Sequence, residues 1–321
     1  MRILAFIPAI LSLTALILTF LALFAGSKRS FMQDYGKLHP FHQPSSTPTN
    51  STLPNTDILT LNTSRIGHNT FNTTTSESSN PVASFIDDLT NDLQSAINEN
   101  LNSLAQNLGL NDFYSVHVLN HCQGFYTPAA ISNATLDDGD IDRNVTRCSR
   151  TRAMYDFDPE ATLQKQLDES GLAFDVDLED LDWPEEIDQG MRALAVAQHA
   201  VFILYCITIA FIFVALVASL ACVFVAQGRV GSFVNVVLDL LAFLAVGIAS
   251  GIVTAVAMKA AELINRYGDD VGVSAQRGGK FLAVTWAATA LMLLSSSVWC
   301  FECVKGRRER GTGYGTAKRL P

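Results

Sequence analysis

Charged residues are scarce in this chain: they make up only 17% of its 321 residues, whereas 49% are hydrophobic. A water-soluble domain has about 25% charged residues, so this composition argues against an ordinary soluble protein and for a membrane protein. Common catalytic motifs are missing as well, because the sequence contains no H-E-x-x-H, no G-x-S-x-G and no Walker loop. We therefore expect a protein that is not an enzyme. We also expect no cofactor, no metal and no nucleic acid.

Four segments carry most of the hydrophobicity, and each contains at most one acidic residue: about residues 3–26, 200–226, 232–258 and 281–304. As a helix, each is long enough to cross roughly 30 Å of hydrocarbon. The first segment is longer than the apolar core of a signal peptide, and Lys28 and Arg29 stand where a cleavage site would be expected. This pattern favours a retained signal anchor over a cleaved signal peptide. The sequence thus predicts a mainly α membrane protein, a bundle of four transmembrane helices.

The distribution of charge predicts the orientation of these helices. The tail at 305–321 holds six Lys or Arg against one Glu, and the positive-inside rule places such a tail in the cytosol. With four spans the N-terminus is cytosolic too, and residues 27–199 form one large outer loop. All the Asn-x-Ser/Thr acceptors fall in that loop, and we expect N-glycosylation at Asn50, Asn62, Asn72, Asn133 and Asn144.

The outer loop contains two cysteines, Cys122 and Cys148. Disulfides persist outside the cell, so we expect these two residues to pair. One alternative is a zinc site that recruits His117 and His121, but such a site needs about four ligands. The other is a catalytic thiol, which pairing would abolish. The pattern favours the disulfide over both.

The outer loop divides by composition. Residues 27–80 are rich in Ser, Thr, Asn and Pro and are predicted to be a disordered, glycosylated stalk. Residues 81–195 are predicted to be an extracellular α+β domain stabilised by the disulfide. Its expected elements are an amphipathic helix at 82–108, short strands in "FYSVHVL" and "VTRCSRTRAMYDF", a short helix capped by Asp158, and a long helix running from Pro184 into the second span. The first span is assigned to 1–26, the other three to 196–304, and the cytosolic tail to 305–321.

The third span contains two notable features. Gly247, Gly251 and Ala255 form a row of small residues, which favours close helix packing within the chain over a contact between copies. Asp239 is an intramembrane carboxylate, and burying it costs about 2.5–3.5 kcal/mol on insertion scales. A protonated or hydrogen-bonded Asp239 near the cytosolic edge is favoured over an ion relay or a gate.

Two cysteines, Cys300 and Cys303, lie beside the basic tail at the end of the fourth span. This position suits S-palmitoylation, which would promote sorting into ordered lipid domains. Unmodified thiols fit the sequence equally well, so both alternatives stay open.

An ordered set of segments resembles the fungal Sur-seven/PalI family, cortical-patch tetraspanners of the claudin-like superfamily. The set comprises "NDFYSVHVLNHCQGFY", a second cysteine, "FDP", "WPEEIDQGMRAL", "LLAFLAVGIASGIVTAVAMKA", "GDDVGVSAQRGGKFL" and "TWAATALMLL", and it covers roughly residues 110–303. The resemblance implies a claudin-like bundle in static plasma-membrane domains associated with eisosomes and the actin cortical patch. It also implies roles in endocytosis, cell-wall and plasma-membrane homeostasis.

The same resemblance implies an alternative function, an accessory role in ambient-pH signalling. Histidines of the outer loop are candidate pH sensors for that role: His39, His42, His68, His117 and His121. A channel or transporter is a further alternative, and it depends mainly on Asp239. The partners implied are membrane lipids of sterol- and sphingolipid-rich domains, other cortical membrane proteins and a second copy of the chain.

Overall fold

A computed structural model of the chain describes residues 6–26, 57–65, 109–127, 142–170, 185–224, 229–268 and 273–316. The chain forms two compact units. The helical unit comprises Met1–Leu23, Ala200–Ile252 and Leu282–Pro321, and the sheet unit comprises Phe24–His199 and Val253–Phe281. Three predicted features lie outside the described residues: the stalk apart from 57–65, the helix at 82–108, and the sequons at Asn50, Asn72 and Asn133.

The helices are α1 (Phe6–Phe24), α2 (Pro159–Ser170), α3 (Glu185–Phe224), α4 (Arg229–Gly268) and α5 (Gly279–Thr316). Within the part of the chain that the structure describes, four of them contain segments long and apolar enough to cross a membrane: Phe6–Phe24, Ala193–Cys222, Gly231–Gly268 and Gly279–Val304. These four segments confirm the predicted four-helix membrane protein. As predicted, no break separates the start of α3 from its membrane span, and its 40 residues extend over about 60 Å.

Small residues form the packed face of α4 in the helical unit. Ala242, Val246 and Ala249 are fully buried, whereas Ala255, in the part of α4 that belongs to the sheet unit, is exposed. A Cβ added to Gly247 would touch Thr289 of α5 at 3.6 Å, but one added to the half-buried Gly251 would meet nothing within 4 Å. Gly251 and Ala255, whose role in helix packing stays a prediction, therefore do not lie on this buried face. The reason is that the 3.6-residue helical period turns the buried face away from those positions.

Among its described residues, the sheet unit contains five antiparallel strands in the order β4-β3-β2-β1-β5. They are β1 (Leu59–Asn62), β2 (Phe113–Val116), β3 (His121–Thr127), β4 (Asp142–Cys148) and β5 (Ser274–Arg277). Two differences from the sequence prediction stand out. β1 lies inside the predicted stalk, which is therefore ordered at 57–65, and β5 comes from the segment between α4 and α5. In addition, β4 ends at Cys148, and the next backbone N–H groups to donate are those of Ser149, to the His121 carbonyl oxygen of β3, and of Arg152, to the Leu119 carbonyl oxygen of the β2–β3 turn.

Two apolar clusters hold the sheet, one on each face. The first contains Leu59, Leu61, Tyr114, Val116, Phe157 and Ala275, and it packs against Leu163 of α2 and Ile264 of α4. The second contains Phe113, Cys122 and Val145. The helix α2 begins as predicted, because the Asp158 carboxylate accepts a hydrogen bond from the Ala161 backbone N–H at 3.0 Å.

Candidate functional site

The disulfide joins the edge strand β4 to its neighbour β3. Cys122 of β3 is paired directly opposite Cys148 of β4, and their sulfur atoms are bonded. The predicted pairing is confirmed. Cys122 is fully buried, and its Sγ lies 3.6 Å from the carbonyl oxygen of Gly26. Since a disulfide has no thiolate, neither cysteine supplies a nucleophile or a metal ligand in this state.

His117 is fully buried and His121 is partly buried. His121 Nδ1 is hydrogen-bonded to the Tyr155 hydroxyl, and its ring also contacts Phe157 edge-on. Burial, with a smaller effect from nearby His117, lowers the pKa of His121 to about 4. Its imidazole is therefore neutral at physiological pH. Within the described part of the chain, no three His, Cys, Asp or Glu side chains group as a metal site would require.

A charge pair with a buried carboxylate links the start of β1 to β4. The Asp57 carboxylate accepts a hydrogen bond from the Thr60 hydroxyl and lies 3.9 Å from an Arg143 guanidinium nitrogen. The same guanidinium donates to Thr60 Oγ1 at 3.0 Å and lies over the Phe113 ring. Burial raises the pKa of Asp57, and the positive charges of Arg143 and Lys280 oppose that effect. Sequence reasoning missed this pair because Asp57 falls inside the predicted stalk.

Asp239 is fully buried in the helical unit. Its Oδ2 accepts a hydrogen bond from the Ser295 hydroxyl of α5, and that hydroxyl lies 3.5 Å from the Ser12 hydroxyl of α1. The other carboxylate oxygen, Oδ1, has no hydrogen-bond partner among the described residues. One turn away, Asn235 accepts a hydrogen bond from Ser219 of α3 at 3.2 Å. These polar contacts tie α4 to α1, α5 and α3.

The remaining predicted sites differ in accessibility. Asn144 is exposed on β4, whereas Asn62 is half-buried on β1. The Asn62 side-chain oxygen accepts hydrogen bonds from both the backbone N–H and the hydroxyl of Ser64. Cys300 is exposed and Cys303 is partly exposed, so both thiols stay candidates for acylation.

A model of the SUR7/PalI family matches residues 4–298. The chain belongs to the SUR7/PalI family. This match confirms the resemblance proposed from the ordered segments, and it makes the chain a multi-pass membrane protein of that family. No curated protein and no solved structure matches the chain at a significant level. For this SUR7/PalI protein, the structural features that sequence reasoning missed are β1, β5 and the charge pair Asp57–Arg143.

Proposed function

We propose that this SUR7/PalI protein is a non-enzymatic component of the plasma membrane that organises static, eisosome-associated cortical domains. In this role it would support endocytosis and the homeostasis of the cell wall and membrane. Both termini would be cytosolic and the sheet unit extracellular, with membrane lipids and other cortical membrane proteins as partners. Membership of the SUR7/PalI family supports the broader statement that this is a membrane protein of that family.

One structural observation carries the proposal: the pairing of β5 with β1. It joins the segment between α4 and α5 to the large segment between α1 and α3. The disulfide fixes β4 to β3 at the other end of the same sheet. The segment between α1 and α3 and the segment between α4 and α5 therefore contribute strands to one sheet. A sheet cross-linked in this way is suited to lasting contacts with neighbouring proteins.

A fluorescent fusion of the full chain tests this role in living cells. We expect immobile cortical foci that recover slowly after photobleaching. Gly278→Ala, which disrupts the β1–β5 junction, should abolish the foci while surface biotinylation still detects the protein. Gly279→Ala, one residue further on, is the matched control. Uniform, freely diffusing fluorescence of the unmodified chain would overturn the proposal.

Transport is the second candidate function, and the unpartnered carboxylate oxygen of Asp239 favours it. A buried carboxylate with unused acceptor capacity is what a proton or cation site requires. Purified protein in liposomes would show ion or proton flux that falls in the Asp239→Asn variant. No flux above that of empty liposomes would exclude this function.

For the accessory role in ambient-pH signalling, His121 provides no sensor, because its pKa of about 4 lies below the range such a protein would monitor. Loss of alkaline adaptation in a deletion strain with intact cortical foci would nevertheless support that role.

A further inference from the structure

The turn between β4 and α2 is unusually exposed and basic. This segment, residues 149–157, is called here the arginine turn. Arg150 and Arg152 are exposed, and Met154 is 47% exposed with a left-handed backbone, φ 51°. Around it, residues 27–199 contain 25 Asp or Glu and only 10 Lys or Arg, and four of those ten lie at 143–152. The turn therefore concentrates positive charge within an acidic segment.

Hydrogen bonds hold the start of the arginine turn near the end of the first span. The backbone N–H of Arg152 donates to the carbonyl oxygen of Leu119 at 2.9 Å. The next residue, Asn120, donates through its side-chain amide to the carbonyl oxygen of Gly26 at 2.8 Å. Gly26 follows the first membrane span, Phe6–Phe24, by two residues. This part of the turn is thus tied to the residues that directly follow the candidate span in α1.

The other end of the arginine turn is tied to the start of the second apolar run. The backbone N–H of Phe157 donates to the Gln198 side-chain oxygen at 3.2 Å. His199 Nε2 lies 3.0 Å from the Met154 carbonyl oxygen and 2.8 Å from an Asp156 carboxylate oxygen. An uncharged stretch follows immediately from Ala200. Both ends of the turn are therefore hydrogen-bonded, within the sheet unit, to residues that adjoin long apolar segments in the sequence.

Among the described residues, no carboxylate lies within ion-pair distance of the Arg150 or Arg152 guanidinium. Arg147, by contrast, pairs with Glu169 at 3.3 Å. Of the two nearby carboxylates, that of Asp156 is engaged by His199 and that of Asp158 caps α2. The guanidiniums of Arg150 and Arg152 are thus available for an external anion.

We propose that the arginine turn binds the anionic phosphate headgroups of lipids in the adjoining leaflet, with Met154 inserted at the boundary with the acyl chains. A guanidinium matches a phosphate through paired N–H donors, and an unbranched thioether adapts to irregular apolar surroundings. This proposal requires α1 and α3 to span the membrane, but it does not depend on the cortical role. A protein without foci could still bind these lipids.

Native mass spectrometry of lipids retained by the full chain tests the proposal. The protein would be released from nanodiscs of phosphatidylcholine with or without phosphatidylserine. We expect Arg150→Gln combined with Arg152→Gln to weaken phosphatidylserine retention, by about 5-fold for each arginine and about 30-fold for both. Arg147→Gln removes the same charge from β4 and should retain lipid like the unmodified chain. Equal retention by all variants would overturn the proposal.

Two further measurements separate headgroup binding from a structural role of the arginines and from binding of free phosphate. Arg150→Lys combined with Arg152→Lys should keep most of the binding. Loss of binding in this variant together with a lowered melting temperature would mean that the arginines act structurally. Inorganic phosphate added in detergent should leave the melting temperature unchanged. A stabilisation by phosphate that requires both arginines would identify the free ion, instead of a headgroup, as the ligand.

The depth of the turn can be measured independently. Fluorescence from Met154→Trp, corrected for the native tryptophans, should be quenched by lipids brominated near the headgroup. Fluorescence from Thr146→Trp, at an exposed position of β4, should not be. Equal quenching at the two positions would contradict insertion of the turn.

Discussion

Gly278 lies where the two inter-helix segments join, and we predict that replacing it with alanine opens the sheet. Gly278 is buried, and its backbone N–H donates to the carbonyl oxygen of Ile58 at 3.0 Å. A Cβ at this position would lie 1.5 Å from the Asp57 carbonyl oxygen and 2.6 Å from the Asp57 carbonyl carbon. Both obstructing atoms are backbone atoms, so no change of side-chain rotamer can relieve the clash.

The size of the effect follows from the displacement that this clash requires. Van der Waals contact begins near 3.5 Å, so the two backbones must separate by about 2 Å. A hydrogen bond does not survive such a lengthening, and the pairing of β5 with β1 weakens next to it. Overpacking costs about 1–3 kcal/mol and a lost hydrogen bond about 0.5–1.5 kcal/mol. We expect Gly278→Ala to lower the free energy of unfolding by about 2–4 kcal/mol.

Gly279 provides a closely matched control. It is exposed, and a Cβ added there would meet nothing within 4 Å. Gly279→Ala should therefore change stability by no more than about 0.5–1 kcal/mol. Hydrogen exchange followed by mass spectrometry in nanodiscs should show faster exchange at 57–62 and 274–278 in Gly278→Ala only. Identical exchange and melting temperatures in the two variants would refute the inferred junction.

Three other predictions concern separate parts of the molecule. Because the pKa of His121 is lowered from 6.5 to about 4, the unfolded chain binds more protons between those values, and stability should decline as the pH falls through this window. The melting temperature of His121→Gln should vary less with pH there, and parallel curves would contradict this. Glycopeptide mass spectrometry should find sugar on exposed Asn144 but not on Asn62, and the reverse occupancy would be incompatible with the described sheet. Ser295→Ala removes the hydroxyl donor of the buried α4 aspartate and should destabilise the helical unit by about 1–3 kcal/mol in mixed-micelle unfolding, whereas exposed Ser297→Ala should have little effect.

The membrane-spanning helices were predictable because lipid leaves the backbone few choices. A long apolar segment must satisfy its own N–H and C=O groups, and an α-helix does so locally. Residues close in sequence also predicted the start of α2 at its N-cap, Asp158, and the continuity of α3, which contains no proline between its start and its span. The disulfide was predictable because disulfides persist outside the cell and the predicted outer loop contains two cysteines. Cys148 was therefore the one partner for Cys122 in that loop.

The sheet was harder to predict because two of its strands are defined by their neighbours. β1 has the sequence LTLN, in which apolar and polar residues alternate. The Ser, Thr and Asn around it nevertheless dominate the average composition of any longer segment. β5 reads SAQR and has almost no strand-forming character of its own. Strand preference depends strongly on the surface that a strand joins, and this surface is assembled from distant segments. The charge pair Asp57–Arg143 was hidden for the same reason.

Strand order gives β1 a structural importance that its composition conceals. It lies between β2 and β5, so the strand from the α4–α5 segment reaches the rest of the sheet through β1. Residues next to β1 also supply the obstructing carbonyl at Gly278 and the carboxylate that faces Arg143. Moving this short segment would therefore both detach β5 and separate the buried Asp57 carboxylate from Arg143, which costs more than the loss of four paired residues alone. The sequence around β1 can be rich in Ser, Thr and Asn because pairing with β2 and β5, and not the apolarity of its flanks, holds the strand in place.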